Sequence, residues 1–509
     1  DTVTAGVGAD VVIGDNGFVV FTDGVRSQVA STDPDAGAGD SLAAGDGDNI
    51  VIGGVGGDTI TLGTGSDLVL GDDGQVIVSA GVRSVVASLD PQVGGDDRIT
   101  GGNGDKVVIG GAGNDGVTLG QGASVVLGDA GMVRFAAGIR AEVSSTDPTV
   151  GGGDTIVIAG GDAVVLGGIG GDAVTTGAGS DLILGDDGVV HFDAAGVVTD
   201  VATLDAALGG DDVIAAGEGD NIVVGGASSD TVTAGSGADV ILGDAGEVSV
   251  AGGRLVRIAT TDPTLGGDDR LAAGEGDNLV IGGFGADTVT AGAGADVVLG
   301  DNGFVVFTDG VRSQVASTDP DAGGADSLAA GDGDNIVIGG VDGDAIEVGT
   351  GSDLVLGDDG QVIVSAGVRS VVASLDPQVG GDDRITGGNG DKVVIGGVGN
   401  DGVTLGQGAS VVLGDAGMVR FAAGIRAEVS STDPTVGGSD TIVIAGGDAV
   451  VLGGIGGDAV TTGAGSDLIL GDDGVVHFDA AGVVTDVATL DAALGGDDVI
   501  AAGEGDNVV

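Results

Sequence analysis

The chain has no cysteine, no tryptophan and no tyrosine, and only 2 His and 7 Pro among its 509 residues. Without cysteine there are neither disulfides nor thiolate metal sites. The two histidines, His191 and His477, stand in the same phrase, VVHFDAAG, and read as ordinary strand residues rather than ligands. Positive charge is scarce as well: 15 Lys and Arg face 79 Asp and Glu, a formal net charge of −64. A field of that sign is a poor match for nucleic acid or an anionic membrane surface. No apolar run approaches the ~20 residues that span a bilayer, so membrane insertion is not expected. The carboxylates recur with structural periodicity instead of converging on one pocket, so the chain reads as a non-enzyme. It opens on DTVTAG and stops inside a repeat, GEGDNVV, which reads as a window of something longer.

What is present is glycine (113 residues) and a hydrophobic fraction of 42%. A disordered acidic chain is poor in Val, Ile and Leu; this one is rich in them and is expected to bury a core of small branched side chains. So acidic a surface repels itself unless cations neutralise it.

Repetition appears at three scales. The phrase GD followed by any residue and Gly places its Asp at Asp15, Asp72, Asp129, Asp186, Asp244, Asp301, Asp358, Asp415 and Asp472. The step is 57 residues, once 58. Residues 1–223 match 287–509 at all but about a dozen positions. Within each unit, a spacer of about 21 residues precedes four nonapeptides, as in DAGAGDSLA, AGDGDNIVI, GGVGGDTIT and LGTGSDLVL. Six turn-like positions are followed by three strand-like ones. Gly supplies tight turns and the Val/Ile/Leu triplets favour strands. Two nonapeptides make one 18-residue coil, which predicts an all-β, right-handed parallel roll running continuously through residues 1–509.

GGVGGDTIT, GGAGNDGVT and GGFGADTVT resemble the phrase GGxGxDxUx of the repeat-in-toxin (RTX, haemolysin-type) calcium-binding family, found in giant secreted bacterial adhesins and S-layer-like proteins. The resemblance implies a parallel β-roll with many Ca2+ ions between successive turns, type I secretion and folding outside the cell. Calcium takes six to eight oxygen ligands, carboxylates mixed with backbone carbonyls. Turns one coil apart share an edge, so the sixth-position Asp residues fall into pairs. On the first edge these are Asp40 with Asp58, Asp97 with Asp115, Asp154 with Asp172, Asp212 with Asp230, Asp269 with Asp287, Asp326 with Asp344, Asp383 with Asp401 and Asp440 with Asp458, followed by Asp498. On the second edge Asp10, Asp67, Asp181, Asp239, Asp296, Asp353 and Asp467 alternate with Asn49, Asn221, Asn278 and Asn335. Lys106 and Lys392 interrupt that edge one coil before Ser124 and Ser410, where an ammonium is expected to replace an ion; the competing reading is a solvated lysine with no partner. The GDxG Asp residues and the Asp of the DP turn, such as Asp90, are candidate further ligands where the spacer leaves and rejoins the roll.

The spacer, as in FVVFTDGVRSQVASTDP, alternates as two strands about a DG or AG turn. It is read as a third, wider coil, keeping the parallel stack unbroken; the competing reading is a projecting hairpin. It carries Arg26, Arg83, Arg140, Arg312, Arg369 and Arg426, a strip that either pairs with acidic turns or contacts another copy. The leading function is an extracellular, calcium-stiffened stalk, filament or surface-layer segment of a secreted bacterial protein. The alternatives are an adhesive or ice-binding solenoid, from Thr-x-Thr triplets such as 59–61, or the secretion-assisting block of a toxin.

Overall fold

The computed structural model describes residues 1–34, 36–490 and 495–509, and among these every regular element is a β-strand. The chain divides into two compact units, Asp1–Leu255 and Val256–Val509, built to the same plan.

Each nonapeptide contributes one short strand, and alternate strands belong to two different parallel sheets. In the first unit Ser41–Gly45 pairs with Thr59–Leu62, which pairs with Arg98–Gly101, all in parallel. Ile50–Ile52, Leu68–Leu70 and Val107–Ile109 form the second sheet in the same way. The second unit repeats the arrangement, with Ser327–Gly331 on Ala345–Val348 and Ile336–Gly340 on Leu354–Asp358. Between the two sheets lies a thin core one side chain deep per strand, with Leu42, Val51, Ile60, Val69 and Ile99 at 0–1% exposure.

The spacer is not a third coil. Thr59↔Arg98 and Ile60↔Ile99 are direct neighbours in the first sheet, so the roll advances across the spacer without an added rung. The intervening chain leaves as an antiparallel hairpin, Gly74–Ser79 against Val82–Ser88. Its turn residues Ala80 and Gly81 take φ of 52° and 79°. Two successive positive φ values define the tight turn whose twist matches a hairpin. Successive hairpins pair edge to edge, Gln28↔Ile77 and Val86↔Val133, giving a third, antiparallel sheet in each unit. The hairpins therefore do not project freely. They lie against the second parallel sheet, where Gly74 packs beside Leu70 and Gly131 beside Leu127.

This third layer explains the two strand textures. First-sheet strands alternate, as in Thr59–Leu62, because their outer face is exposed. Second-sheet triplets such as Ile50–Ile52 and Leu68–Leu70 are buried at all three positions, because both of their faces are covered. Continuous apolar strands are what two-sided burial requires. The hairpin contributes its own inward residues, Val29, Val76, Val86 and Val133, each 0% exposed.

Candidate metal centre

The first-edge Asp residues stack into a ladder. Each carboxylate Oδ1 accepts the backbone N–H of the equivalent Asp one rung earlier: Asp97 N to Asp115 at 2.7 Å, Asp115 N to Asp154 at 2.6 Å, Asp154 N to Asp172 at 2.6 Å, Asp172 N to Asp212 at 2.7 Å. In the second unit the ladder runs from Asp287 through Asp326, Asp344, Asp383, Asp401 and Asp440 at 2.7–2.8 Å. The spacing of 18 residues within a unit and 39 or 40 across a spacer gives the same contact, since the hairpin adds no rung.

The second oxygen of these carboxylates is the chemically revealing atom. Oδ2 of Asp58, Asp97, Asp115, Asp154, Asp172, Asp212, Asp287, Asp326, Asp344, Asp383, Asp401 and Asp440 is buried without a hydrogen-bond partner. Burying an ionised oxygen with nothing to compensate it is prohibitive. Each Oδ2 converges with a carbonyl on one point of the turn. A Cβ added at Gly167 would collide with both the Gly185 carbonyl oxygen and Asp172 Oδ2; at Gly339 it would meet Gly357 O and Asp344 Oδ2. Glycine is required there because the space belongs to oxygens aimed inward. The charges surrounding these carboxylates have the same sign: Asp115, Asp72 and Asp58 around Asp97, for example. Burial first, and then those neighbours, push Asp97 and Asp344 up to about 10 and Asp401 to about 8.

This donor set, carboxylate oxygen plus glycine carbonyls in a flexible turn, fits calcium. Asp154, Asp172 and Asp212 with the Gly167 and Gly185 carbonyls would hold ions in the first unit; Asp326, Asp344 and Asp383 with Gly339 and Gly357 would do so in the second. Among the described residues no three acidic or histidine side chains gather into a cluster of their own. The candidate sites are columns of carboxylates interleaved with backbone.

The GDxG aspartates are used differently. Asp72 Oδ1 accepts Gly95 N–H at 3.1 Å and its Oδ2 accepts Ala112 N–H at 2.5 Å. Asp129 takes Gly152 and Ile169, and Asp301 takes Gly324 and Val341. Asp186, Asp358 and Asp415 are likewise doubly engaged, while Asp15 holds Val55 N–H and Asp472 holds Gly496 N–H. These residues staple the returning spacer to the next rung, which the sequence alone did not reveal. Asp72→Ala is expected to cost about 1–3 kcal/mol for each buried amide left unpaired. Asp72→Asn, keeping one acceptor, should recover roughly half of that, as read by thermal melting of the calcium-loaded chain. Sequence reasoning also passed over the following residue, where Asp73, Asp187 and Asp359 are buried, while Ser31, Ser145 and Ser317 of the preceding hairpin accept the backbone N–H of Gly74, Gly188 and Gly360. The DP aspartate Asp90 sits at φ 47°, a turn former.

On the second edge the column is mixed. Asn49 Nδ2 donates to the Gly47 carbonyl and to Asp67 Oδ1, both at 2.9 Å, and Asn221 repeats the pattern with Gly219 and Asp239. Lys106 was expected to act at the level of Ser124. Instead its ammonium turns to the previous rung, 3.3 Å from Asp67 Oδ2 and 2.9 Å from Gly65 O, while Ser124 Oγ accepts only its backbone N–H. The reason is steric and electrostatic: the lysine stem runs past Gly101, where a Cβ would strike it, toward the nearest carboxylate. Lys392 does the same with Asp353 at 3.0 Å and Gly351 O at 3.1 Å. The spacer arginines point inward too, Arg83 Nη2 to Ser66 O at 3.1 Å and Arg369 Nη2 to Ser352 O at 2.8 Å. They pair with turns of the second edge.

No curated protein matches the chain. A model of the RTX calcium-binding nonapeptide repeat (4 copies) matches residues 1–18, 36–76, 93–126, 207–241, 216–248, 264–303, 322–355, 379–412 and 493–509. The matched segments are the coils with their turns, and most hairpins fall in the gaps between them. With more than half of its length matched, and with a roll whose turns carry the repeated aspartates, the chain belongs to the RTX calcium-binding nonapeptide repeat family.

Proposed function

We propose that this chain is a calcium-stiffened structural segment of a secreted bacterial protein, serving as a rigid stalk or filament building block at the cell surface. One observation carries the reading: a ladder of buried carboxylates, each with one oxygen fixed to the backbone and the other directed at glycine carbonyls. Such a ladder is self-repelling without cations and cohesive with them. It is repeated rung after rung, with near-identical units, which suits spacing rather than recognition. Solenoid stability is a sum of repeat and neighbour terms, so length can grow without a change of fold. Coupling the fold to calcium lets the chain remain unfolded where the ion is scarce and fold where it is plentiful. Negative-stain microscopy of the full chain tests this. Straight particles of uniform width are expected in calcium, collapsed ones after chelation; particles indifferent to calcium would overturn it. Lateral joining of the particles would favour filament over stalk.

The same ladder sets a pH dependence for the calcium-free chain. Asp172 is pushed to about 10 and Asp154 to about 8, by burial first and by Asp neighbours second. These lie above the unfolded value of about 3.9, so the folded state binds more protons and is stabilised as pH falls through that window. Calcium-depleted chain should therefore gain strand signal in circular dichroism on titration from about pH 9 to pH 5. Calcium-loaded chain should show little change over that range. A calcium-free chain that loses strand on acidification would contradict the assignment.

A further inference from the structure

The two edges of the roll are not equivalent, and the difference lies in where their positive charge comes from. We propose that calcium loads along the first edge only, and that the second edge is an ion-free spine in which the chain's own nitrogens take the cation's place. The inference rests on the calcium reading above and assigns its sites.

Along the described first-edge ladder every rung presents a carboxylate, and the charges that act most on Asp97 are those of Asp115, Asp72 and Asp58. At the sixth turn position of the second edge, no two consecutive rungs both carry a carboxylate. Asp67 stands between Asn49 and Lys106, Asp181 between Ala163 and Asn221, Asp353 between Asn335 and Lys392. Lys106, Ser124 and Ala163, and again Lys392, Ser410 and Ala449, are three successive rungs without an acid at that position.

What fills the turns is nitrogen. Asn49 Nδ2 reaches Gly45 O at 3.2 Å and Gly47 O at 2.9 Å, and Asn335 Nδ2 reaches Gly331 O at 3.1 Å and Gly333 O at 3.4 Å. The carbonyls of a turn that would ligate an ion are thus spent on an amide. The lysines go further. Lys106 Nζ lies among Gly65 O, Asn103 O and Asp67 Oδ2, with both side chains 0% exposed: three oxygens from two rungs around one positive charge. Lys392 sits in the same cage of Gly351 O, Asn389 O and Asp353 Oδ2. An ammonium is a compact point charge with three donors, and here it takes the position and the ligands of a metal. The guanidinium groups of Arg83 and Arg369 then neutralise the same edge from the hairpin layer. Four of the scarce cations, Lys106, Lys392, Arg83 and Arg369, are therefore spent on this edge.

Asp181 and Asp296 are second-edge carboxylates that each keep a buried Oδ2 outside the lysine cages. The test belongs there. Asn already occupies alternate rungs of this column, so D181N and D296N preserve the ladder geometry. Equilibrium dialysis of the full chain against calcium, counting bound ions, should give the same stoichiometry for the D181N/D296N double variant as for the natural sequence. The first-edge double variant, D172N/D344N, should lose ions in the same assay. A count that falls equally in both would overturn one-edge loading while leaving calcium binding intact. A natural chain that binds no calcium would remove the reading beneath it. As an independent arm, the K106D/S124D variant creates consecutive carboxylates on the second edge and should gain at least one ion; no gain would also count against the proposal.

Discussion

Chelation of calcium is expected to abolish most of the strand signal of the full chain, and restoring calcium is expected to bring it back. The expectation follows from magnitudes. A folded domain is stable by only about 5–15 kcal/mol, and a ligand present at about 100 times its dissociation constant contributes roughly 2.7 kcal/mol per site. The first unit alone links Asp97, Asp115, Asp154, Asp172 and Asp212 through consecutive rungs, each with an inward oxygen. A handful of occupied sites therefore equals the whole stability of an ordinary domain. Removing them also exposes the full repulsion of a chain with net charge −64. The thin core of Val, Ile and Leu has too little depth to hold against that loss. Circular dichroism with a calcium titration and chelator reversal measures it; strand content that persists fully in chelator would show that the core suffices alone.

The second large effect is a reversal of sign. Asp172→Asn is expected to destabilise the chain in calcium and to stabilise it without calcium. The amide keeps the shape of the carboxylate and its oxygen still accepts Asp154 N–H, which the native Oδ1 does at 2.6 Å. What changes is charge. In calcium the variant loses an ionic ligand shared by neighbouring sites, and each tenfold loss of affinity costs about 1.4 kcal/mol. Without calcium the native Asp172 carboxyl is pushed to about 10, by burial and by Asp154 and Asp212, so at neutral pH it must take up a proton to be buried. An amide of the same shape needs no proton, so it removes a cost of about 1.4 kcal/mol for each pH unit above the unfolded carboxyl value of about 3.9. Melting curves of the variant and the natural chain, with and without calcium, give the comparison directly. A purely structural role for Asp172 would shift both curves the same way.

Much of this was legible in the sequence for physical reasons. A nonapeptide with an apolar triplet has to return the chain to the same sheet every 18 residues, and that periodicity alone placed Asp154 beside Asp172 and Asp326 beside Asp344. The spacer departs from the expected third coil because continuity of the parallel stack needs none. The stack closes over the gap instead, and the antiparallel sheet it leaves behind covers the second face. That cover did have a sequence signal. Triplets IVI, LVL and VVI on one face are apolar throughout, while TIT and RIT on the other alternate. Strands buried on both sides must lie under another layer. The direction of the Lys106 ammonium had no such signal, since Asp67 and Ser124 stand on adjacent rungs on either side of it, and only the course of its stem past Gly101 decides between them.

The most direct test of the carboxylate columns is an anomalous-difference map from crystals of the full chain grown in calcium, recorded at a wavelength where calcium scatters anomalously. Peaks are expected along the first edge, between the Oδ2 atoms of residues such as Asp154 and Asp172 and the carbonyls of Gly167 and Gly185. A first edge without peaks, with its carboxylates bonded to water or to the backbone alone, would contradict the account.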